Sequence, residues 1–497
     1  MNLGLLLFLL SPILMGYLLV QILLPAPLVD HANLPARANF FFRLCLAPGL
    51  GYALVSLLFF LWSLLFSPTR ALAGYITLEG LVLLVLLVLA FGLRQHPSQP
   101  PAPDPGKTHL LGLALSLLAT LVFSLFLLNF LNDWHTLAMD KPFGDYDAWA
   151  IWNLRAGFIA SGDDWLKGFS SAILWSHPDY PLLLPLNVAR DWVLLGQRSV
   201  FIPMLLGLIF QLSLVGLLVA AIALQRGWLQ SLLAGVLGIA VIYVSLDFRQ
   251  YADIPLAFYF LAANVLLYLG AASTDNNPGY TVLAGLSLGA ALWTKNEGWM
   301  LLGATLVVSL LLALLSHKSF MQILGWFAWL FVGLIPFLIA ALYFKFALAP
   351  PNDLLSELSL GAIKSKLVDL SRYLTIIKAL RGQFFDYGNL AVPLIPLLLV
   401  YPLLSGFSLP KEELRAALGL FLRVTALAAI YFMIYLLTPK PLAWHLSTSL
   451  VRLLTQLFPS ILLLYFLLVS PPLEENIARD TSNIESPPHR SAESLHR

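Results

Sequence analysis

Thirteen times along its 497 residues this chain runs apolar for roughly the length a helix needs to cross a hydrocarbon core. The runs lie at 3–24, 46–66, 72–93, 108–131, 199–223, 229–246, 254–272, 280–294, 299–316, 322–347, 391–405, 416–438 and 450–470. In lipid a backbone must satisfy its own N–H and C=O groups, so a chain built this way folds as a helical bundle. Composition agrees. Charged residues make up 11% and mean hydropathy is +0.84, whereas a soluble domain carries about 25% charge to keep its surface wet. No Lys or Arg precedes the first run, so it reads as a span and not as a cleavable signal peptide. The single cysteine, Cys45, excludes an intramolecular disulfide framework and a Cys-based zinc site. A net charge of +2 gives no footprint for nucleic acid. The expectation is an all-α polytopic membrane protein with about 11–13 transmembrane helices.

Hydrophilic stretches divide the chain. Residues 1–131 hold the N-terminal spans, 132–198 a long first loop, 199–347 a transmembrane core, 348–390 a second loop, 391–470 the C-terminal spans and 471–497 a polar tail rich in Ser, Pro, Glu and Arg. That tail has the composition of a disordered segment. In the second loop Leu367, Leu370, Leu374, Ile377 and Leu380 form a stripe at helical spacing, which predicts a helix lying in the interface plane. Arg37, Arg43, Arg94, Lys107, Arg226, Lys318, Lys411 and Arg415 fall on one side when the chain is threaded through its spans. The positive-inside rule makes that side, and the tail, cytoplasmic, with both long loops outside.

Polar residues at membrane depth are costly and mark sites or pathways. Here they form five groups: Asp145 and Asp147; His177 with Asp179 and Tyr180; Arg249, Tyr251 and Asp253; Lys295 with Glu297; and His445 with Arg452. Threading puts all five at the outer face. Asp145 and Asp147 precede an aromatic amphipathic stretch, Trp149 to Phe158, that would hold them at the membrane surface. A carboxylate there can act as a general base or ligate a divalent cation, or simply solvate a loop. Lys295 can meet a phosphate at headgroup level or close an ion pair with Glu297. Arg249 and Asp253, four apart, have the spacing of a helical ion pair. Arg452 lies at the start of the last run, where it can snorkel or grip an anion.

The strings Gly144-Asp-Tyr-Asp-Ala-Trp-Ala-Ile-Trp152 and His177-Pro-Asp-Tyr-Pro-Leu-Leu-Leu-Pro185 resemble the first large outer loop of GT-C glycosyltransferases. These include the protein O-mannosyltransferases and the bacterial aminoarabinose and lipopolysaccharide-core sugar transferases. Tyr251-Ala-Asp-Ile-Pro-Leu256, Thr294-Lys-Asn-Glu-Gly298 and Trp444-His-Leu-Ser-Thr-Ser449 with Arg452 resemble later elements of the same families. The likeness covers roughly residues 130–310 and the last span. Two departures stand: three spans precede the one leading into the acidic loop, and Ala148 follows Asp147 where a second acid is usual.

The resemblance implies a GT-C-like bundle whose outer loops carry amphipathic helices. It implies a bacterial inner-membrane enzyme that moves a sugar, with inversion, from a polyprenyl-phosphate donor to a glycan, lipid or protein acceptor at the extracytoplasmic face. Asp147 would then be the catalytic carboxylate, with Asp145 second. Lys295, Arg249 and Arg452 would hold the donor phosphate, helped by His177 and His445, and Glu297, Asp253 and Tyr251 would complete the site. Some GT-C enzymes use a divalent metal; this sequence has no evident cage of acids, so metal stays open. Three rivals remain: an O-antigen ligase or polymerase using a diphosphate-linked donor, a secondary transporter and a structural scaffold. A transporter would place polar residues near the midplane.

Overall fold

The computed structural model describes residues 3–24, 28, 36–93, 110–245, 250–273, 277–351, 360–387 and 394–470. These residues are helical nearly throughout. Among them nine helices are long and apolar enough to cross a membrane, and four shorter apolar helices stand beside them. The described part of each of the thirteen apolar runs falls on one of these helices. The chain is a polytopic helical membrane protein.

The first helices are α1 (Leu3–Leu23), α2 (Ala36–Phe66), α3 (Leu72–Gly92) and α4 (Leu110–Asp140). Helix α2 begins ten residues before its apolar run. Its added first turns carry Arg43, which donates to the Val20 and Leu24 carbonyls and to Gln21 at the end of α1. A cation there satisfies carbonyls that have no intrahelical partner. The α1–α2 crossing depends on small residues, because a Cβ on Gly16 would overlap the Ala47 carbonyl and one on Gly51 the Pro12 carbonyl. Helices α3 and α4 turn exposed Leu, Val and Phe outward, as lipid-facing helices do.

The first long loop is mostly ordered structure. A π-turn, Ala148–Asn153, runs into α5 (Leu154–Ile159), followed by 3-10 turns at Gly162–Phe169 and Ser171–Ser176 and then α6 (Leu183–Leu195). The sequence pattern read 132–198 as one hydrophilic loop. In the structure α4 extends to Asp140, and α6 is buried against α2 and α5. Arg190, Asp191 and Asn187 disguise α6 as loop, yet all three are buried with partners.

The core follows: α7 (Phe201–Arg226), α8 (Trp228–Ser245), α9 (Asp253–Ala272), α10 (Gly279–Thr294), α11 (Glu297–Leu315) and α12 (Phe320–Tyr343), which ends in a second π-turn, Phe344–Leu348. Helix α9 is buried on every face and packs against α7, α10 and the two C-terminal helices. A helix apolar all round belongs in the middle of a bundle. Its first residue, Asp253, therefore emerges at the centre of one bundle end. Next come α13 (Leu360–Val368), α14 (Leu370–Asp386), α15 (Leu394–Ser405), α16 (Leu414–Leu437) and α17 (Leu442–Leu468). Leu367, Leu370, Leu374 and Ile377 are exposed on α13 and α14, whereas Leu380, the fifth residue of the predicted stripe, packs against the core. Asp369 interrupts the stripe by capping α14 through the Ser371 N–H. Helix α17 begins eight residues before its apolar run, so Arg452 lies three turns inside it and His445 in its first turn. The polar tail, 471–497, lies outside the described residues.

Candidate functional site

Four separate stretches of sequence meet at Asp253. The start of α9 presents its carboxylate with no solvent exposure, and α17 brings Arg452 and Gln456, one turn apart, onto it. Arg452 donates to Asp253 Oδ2 from Nε at 3.1 Å and from Nη2 at 3.0 Å, and Gln456 Nε2 reaches Oδ1 at 2.5 Å. The turn between α10 and α11 delivers Lys295, whose Nζ lies 2.8 Å from Asp253 Oδ1 and 2.7 Å from Glu297. From the loop after α4 comes Asp147, whose Oδ2 accepts from Arg452 Nη2 at 2.6 Å. Beneath the guanidinium lies the Tyr251 ring, 4.7 Å away. Tyr431 fixes Gln456 by donating to its Oε1.

The cluster has a sealed floor and an open rim. Asp253 is fully buried, whereas the side chains of Arg452, Asp147 and Glu297 keep 18%, 15% and 17% of their surface. A buried carboxylate is tolerated when several donors hold it, and Asp253 has four hydrogen bonds from three side chains. Burial pulls the Lys295 ammonium down, but Asp253 and Glu297 outweigh it and hold the group above its ordinary value, so it stays charged. Burial, reinforced by Asp147, raises the Tyr251 phenol. It also raises Tyr180 well above the usual range, with Glu297 and Asp179 adding to it. Both tyrosines remain neutral at neutral pH.

A second layer fixes the parts. Asn296, between Lys295 and Glu297, donates to Asp179 at 3.0 Å. Lys345, in the π-turn after α12, closes a triangle with the Asn296 carbonyl oxygen at 2.7 Å and the Asp179 backbone carbonyl at 2.5 Å. Fully buried Arg155 ties the amphipathic stretch to the proline turn through the Tyr180 carbonyl at 2.7 Å and the Ser176 carbonyl at 3.4 Å. Burial lowers its guanidinium to about 10, and it remains a cation at neutral pH.

Of the residues singled out from sequence, Asp147, Tyr251, Asp253, Lys295, Glu297 and Arg452 converge. The other described ones make different contacts. Asp145 pairs with Lys141 at 3.3 Å. His177, in the left-handed conformation at the end of a 3-10 turn, stacks on Tyr180 with centroids 5.0 Å apart. His445 Nδ1 bonds Thr438 at 2.9 Å and packs on Tyr435. Arg249 lies outside the described residues, and Asp253 takes Arg452 and Lys295. Sequence reading passed over Gln456, Lys345, Arg155 and the fastening role of Asn296. Gln456 carried one usable signal, since it stands one turn from Arg452 on the same helix face.

Chemically the rim offers one guanidinium and one carboxylate in direct contact, over a buried carboxylate that anchors two cations. Among the described residues no three His, Cys, Asp or Glu side chains are grouped to hold a metal ion. Asp147, Asp253 and Glu297 instead each face a Lys or Arg. Comparison with family models, with curated proteins and with solved structures finds no match.

Proposed function

We propose that this protein is a GT-C-type glycosyltransferase that moves a sugar from a polyprenyl-phosphate donor to an acceptor hydroxyl, with inversion, at the extracytoplasmic face of a bacterial inner membrane. One observation carries the reading. Asp147, Asp253, Lys295 and Arg452, drawn from stretches up to 305 residues apart, meet in one cluster at a bundle end. A secondary transporter would favour groups at the midplane.

In the proposed reaction the bond between the anomeric carbon and the phosphate oxygen breaks, and its electron pair leaves with the phosphate. The acceptor oxygen bonds to the anomeric carbon from the opposite side, and its proton passes to Asp147. Arg452 and Lys295 stabilise the charge that builds on the leaving phosphate. Asp253 touches neither reactant; it positions both cations. In the resting cluster Asp147 is held by Arg452. A donor phosphate that takes over Arg452 releases Asp147 to act as base, which couples donor binding to base activation. A phosphate matches the planar guanidinium fork at least as well as a carboxylate does.

The test uses undecaprenyl monophosphate, the kind of lipid such a donor leaves behind, with the protein in nanodiscs. Binding is expected in the wild type and strong weakening in Arg452→Met and Lys295→Met. Equal binding by all three proteins would remove the reading. A marked preference for undecaprenyl diphosphate would move it to the ligase or polymerase class.

A further inference from the structure

The segment that begins at Asp147 has a second working side. A groove of about 670 Å³ runs along it, walled by Trp149, Phe158 and Trp192, with Asp164, Lys167 and Arg198 among its polar lining. A volume of several hundred Å³ suits a small-molecule ligand. Asn153 lines this groove and also a small slot of about 20 Å³, whose other walls include Trp152, Gln250 and Tyr251. Tyr251 in turn lies under the Arg452 guanidinium. Groove, slot and ion cluster are thus joined through two shared residues.

The slot is polar in an unusual way. Trp152 Nε1, Asn153 Nδ2 and Gln250 Oε1 are buried and have no hydrogen-bond partner in the protein. Trp152 and Asn153 are themselves 2% and 8% exposed. Native interiors rarely leave such groups unpaired, and three of them belong to residues lining one slot, which calls for a water-sized hydrogen-bonding guest such as a water or a ligand hydroxyl. A space of roughly this size holds a single water-sized group. Two donors and one acceptor complement a hydroxyl, which both accepts and donates. A carboxylate or phosphate would be repelled by Gln250 Oε1, and a hydrocarbon would leave all three atoms unpaired. The aromatic walls of the groove fit the C–H faces of a pyranose, and its charged lining suits entry from water.

We propose that groove and slot form the acceptor subsite, and that the acceptor is a saccharide. This rests on the transferase reading. The acceptor would seat a ring against Trp149, place one hydroxyl in the slot and hold the reacting hydroxyl beside Tyr251 and the ion cluster.

Saturation-transfer NMR on the protein in nanodiscs tests it, with the methyl glycosides of glucose, galactose, mannose and N-acetylglucosamine as probes. At least one is expected to receive saturation at its ring C–H protons. Trp149 is half exposed, so Trp149→Ala should fold; it is expected to weaken that glycoside about fivefold, and Trp149→Phe to restore most of the loss. Asn153→Leu separates binding from folding. It removes an unpaired buried amide, so melting temperature should hold or rise while glycoside binding falls. Absence of any glycoside signal in the wild type, or a signal that survives both Trp149→Ala and Asn153→Leu, overturns the proposal. Lys295→Met is expected to lose undecaprenyl monophosphate and keep the glycoside; loss of both would assign the sugar to the donor side and overturn it too. Glycoside binding at the groove in a wild type that never binds the phosphate supports the saccharide site and removes the transferase reading.

Discussion

Two arginines in this protein each sit between two carboxylates, and their surroundings differ. Arg190 of α6 pairs with Glu79 of α3 and with Asp191, and also donates to the Tyr75 and Ser11 hydroxyls. Its side chain is 1% exposed, with Asp191 at 3% and Glu79 at 10%. Arg452 pairs with Asp147 and Asp253, one partner at the rim and the other on the floor. The sealed cluster keeps its carboxylates at 3% and 10% exposure and ties α1, α3 and α6 together. The open one can trade its outer partner for another anion and keep its inner one. The same ion triad is a rivet in one place and a socket in the other.

The largest effect should come from Asp147→Asn. Loss of a general base is expected to cut transfer by about 10²–10⁴-fold. Melting should move little, because Arg452 keeps Asp253 as its partner when Asp147 is neutralised. Transfer assays beside thermal unfolding check both, and normal turnover would end the assignment of Asp147 as base. Arg190→Met should do the reverse, destabilising the fold by about 3–5 kcal/mol because it strands buried carboxylates. If the same change left melting intact and stopped transfer, the contrast between rivet and socket would break. Neutralising the whole sealed triad, with Glu79→Gln and Asp191→Asn added, should recover much of that loss.

A smaller and sharper effect concerns the exchange at Arg452. Asp147→Asn should bind undecaprenyl monophosphate more tightly than the wild type, about fivefold, since the competing carboxylate is gone. Equal or weaker binding would mean that Asp147 and the phosphate do not share Arg452. The least effect is in pH. The Lys295 ammonium is held above its ordinary value of 10.5, so the stability its charge confers is complete below the unfolded value and is lost as pH rises through the folded one. Melting temperature should show no Lys295-dependent fall from pH 7 to about 10 and then drop, and Lys295→Met should blunt that drop.

The sequence made the helices legible because lipid leaves a backbone few choices, and each apolar run became a helix. It also exposed six residues of the ion cluster, because a charge at the edge of an apolar run stands out. Lys345 did not stand out. Near the end of the 322–347 run it reads as an ordinary snorkelling cation, and only the folded chain brings Asp179 and Asn296 to it. Arg155 was hidden in an aromatic stretch that suggested only a surface helix. Glu79 was the missed signal, a lone acid inside an apolar run whose partner, Arg190, lies 111 residues away in what looked like loop.

The π-turn at Ala148–Asn153 governs how these parts are phased. A π-turn holds an extra residue compared with the α-helix, and such turns recur at functional positions. Asp147 on one side of it looks to the ions, and Asn153 on the other looks to the slot. Deleting one residue between them would let an ordinary helix form and would turn the two ends against each other by about 100°. With Ala150 as the residue removed, the side chains of Asp147, Trp149, Trp152 and Asn153 would all survive that change. The two halves of the chemistry would still point to different clock positions, so the spacing of this short segment works as a gear tooth whose value lies in its count.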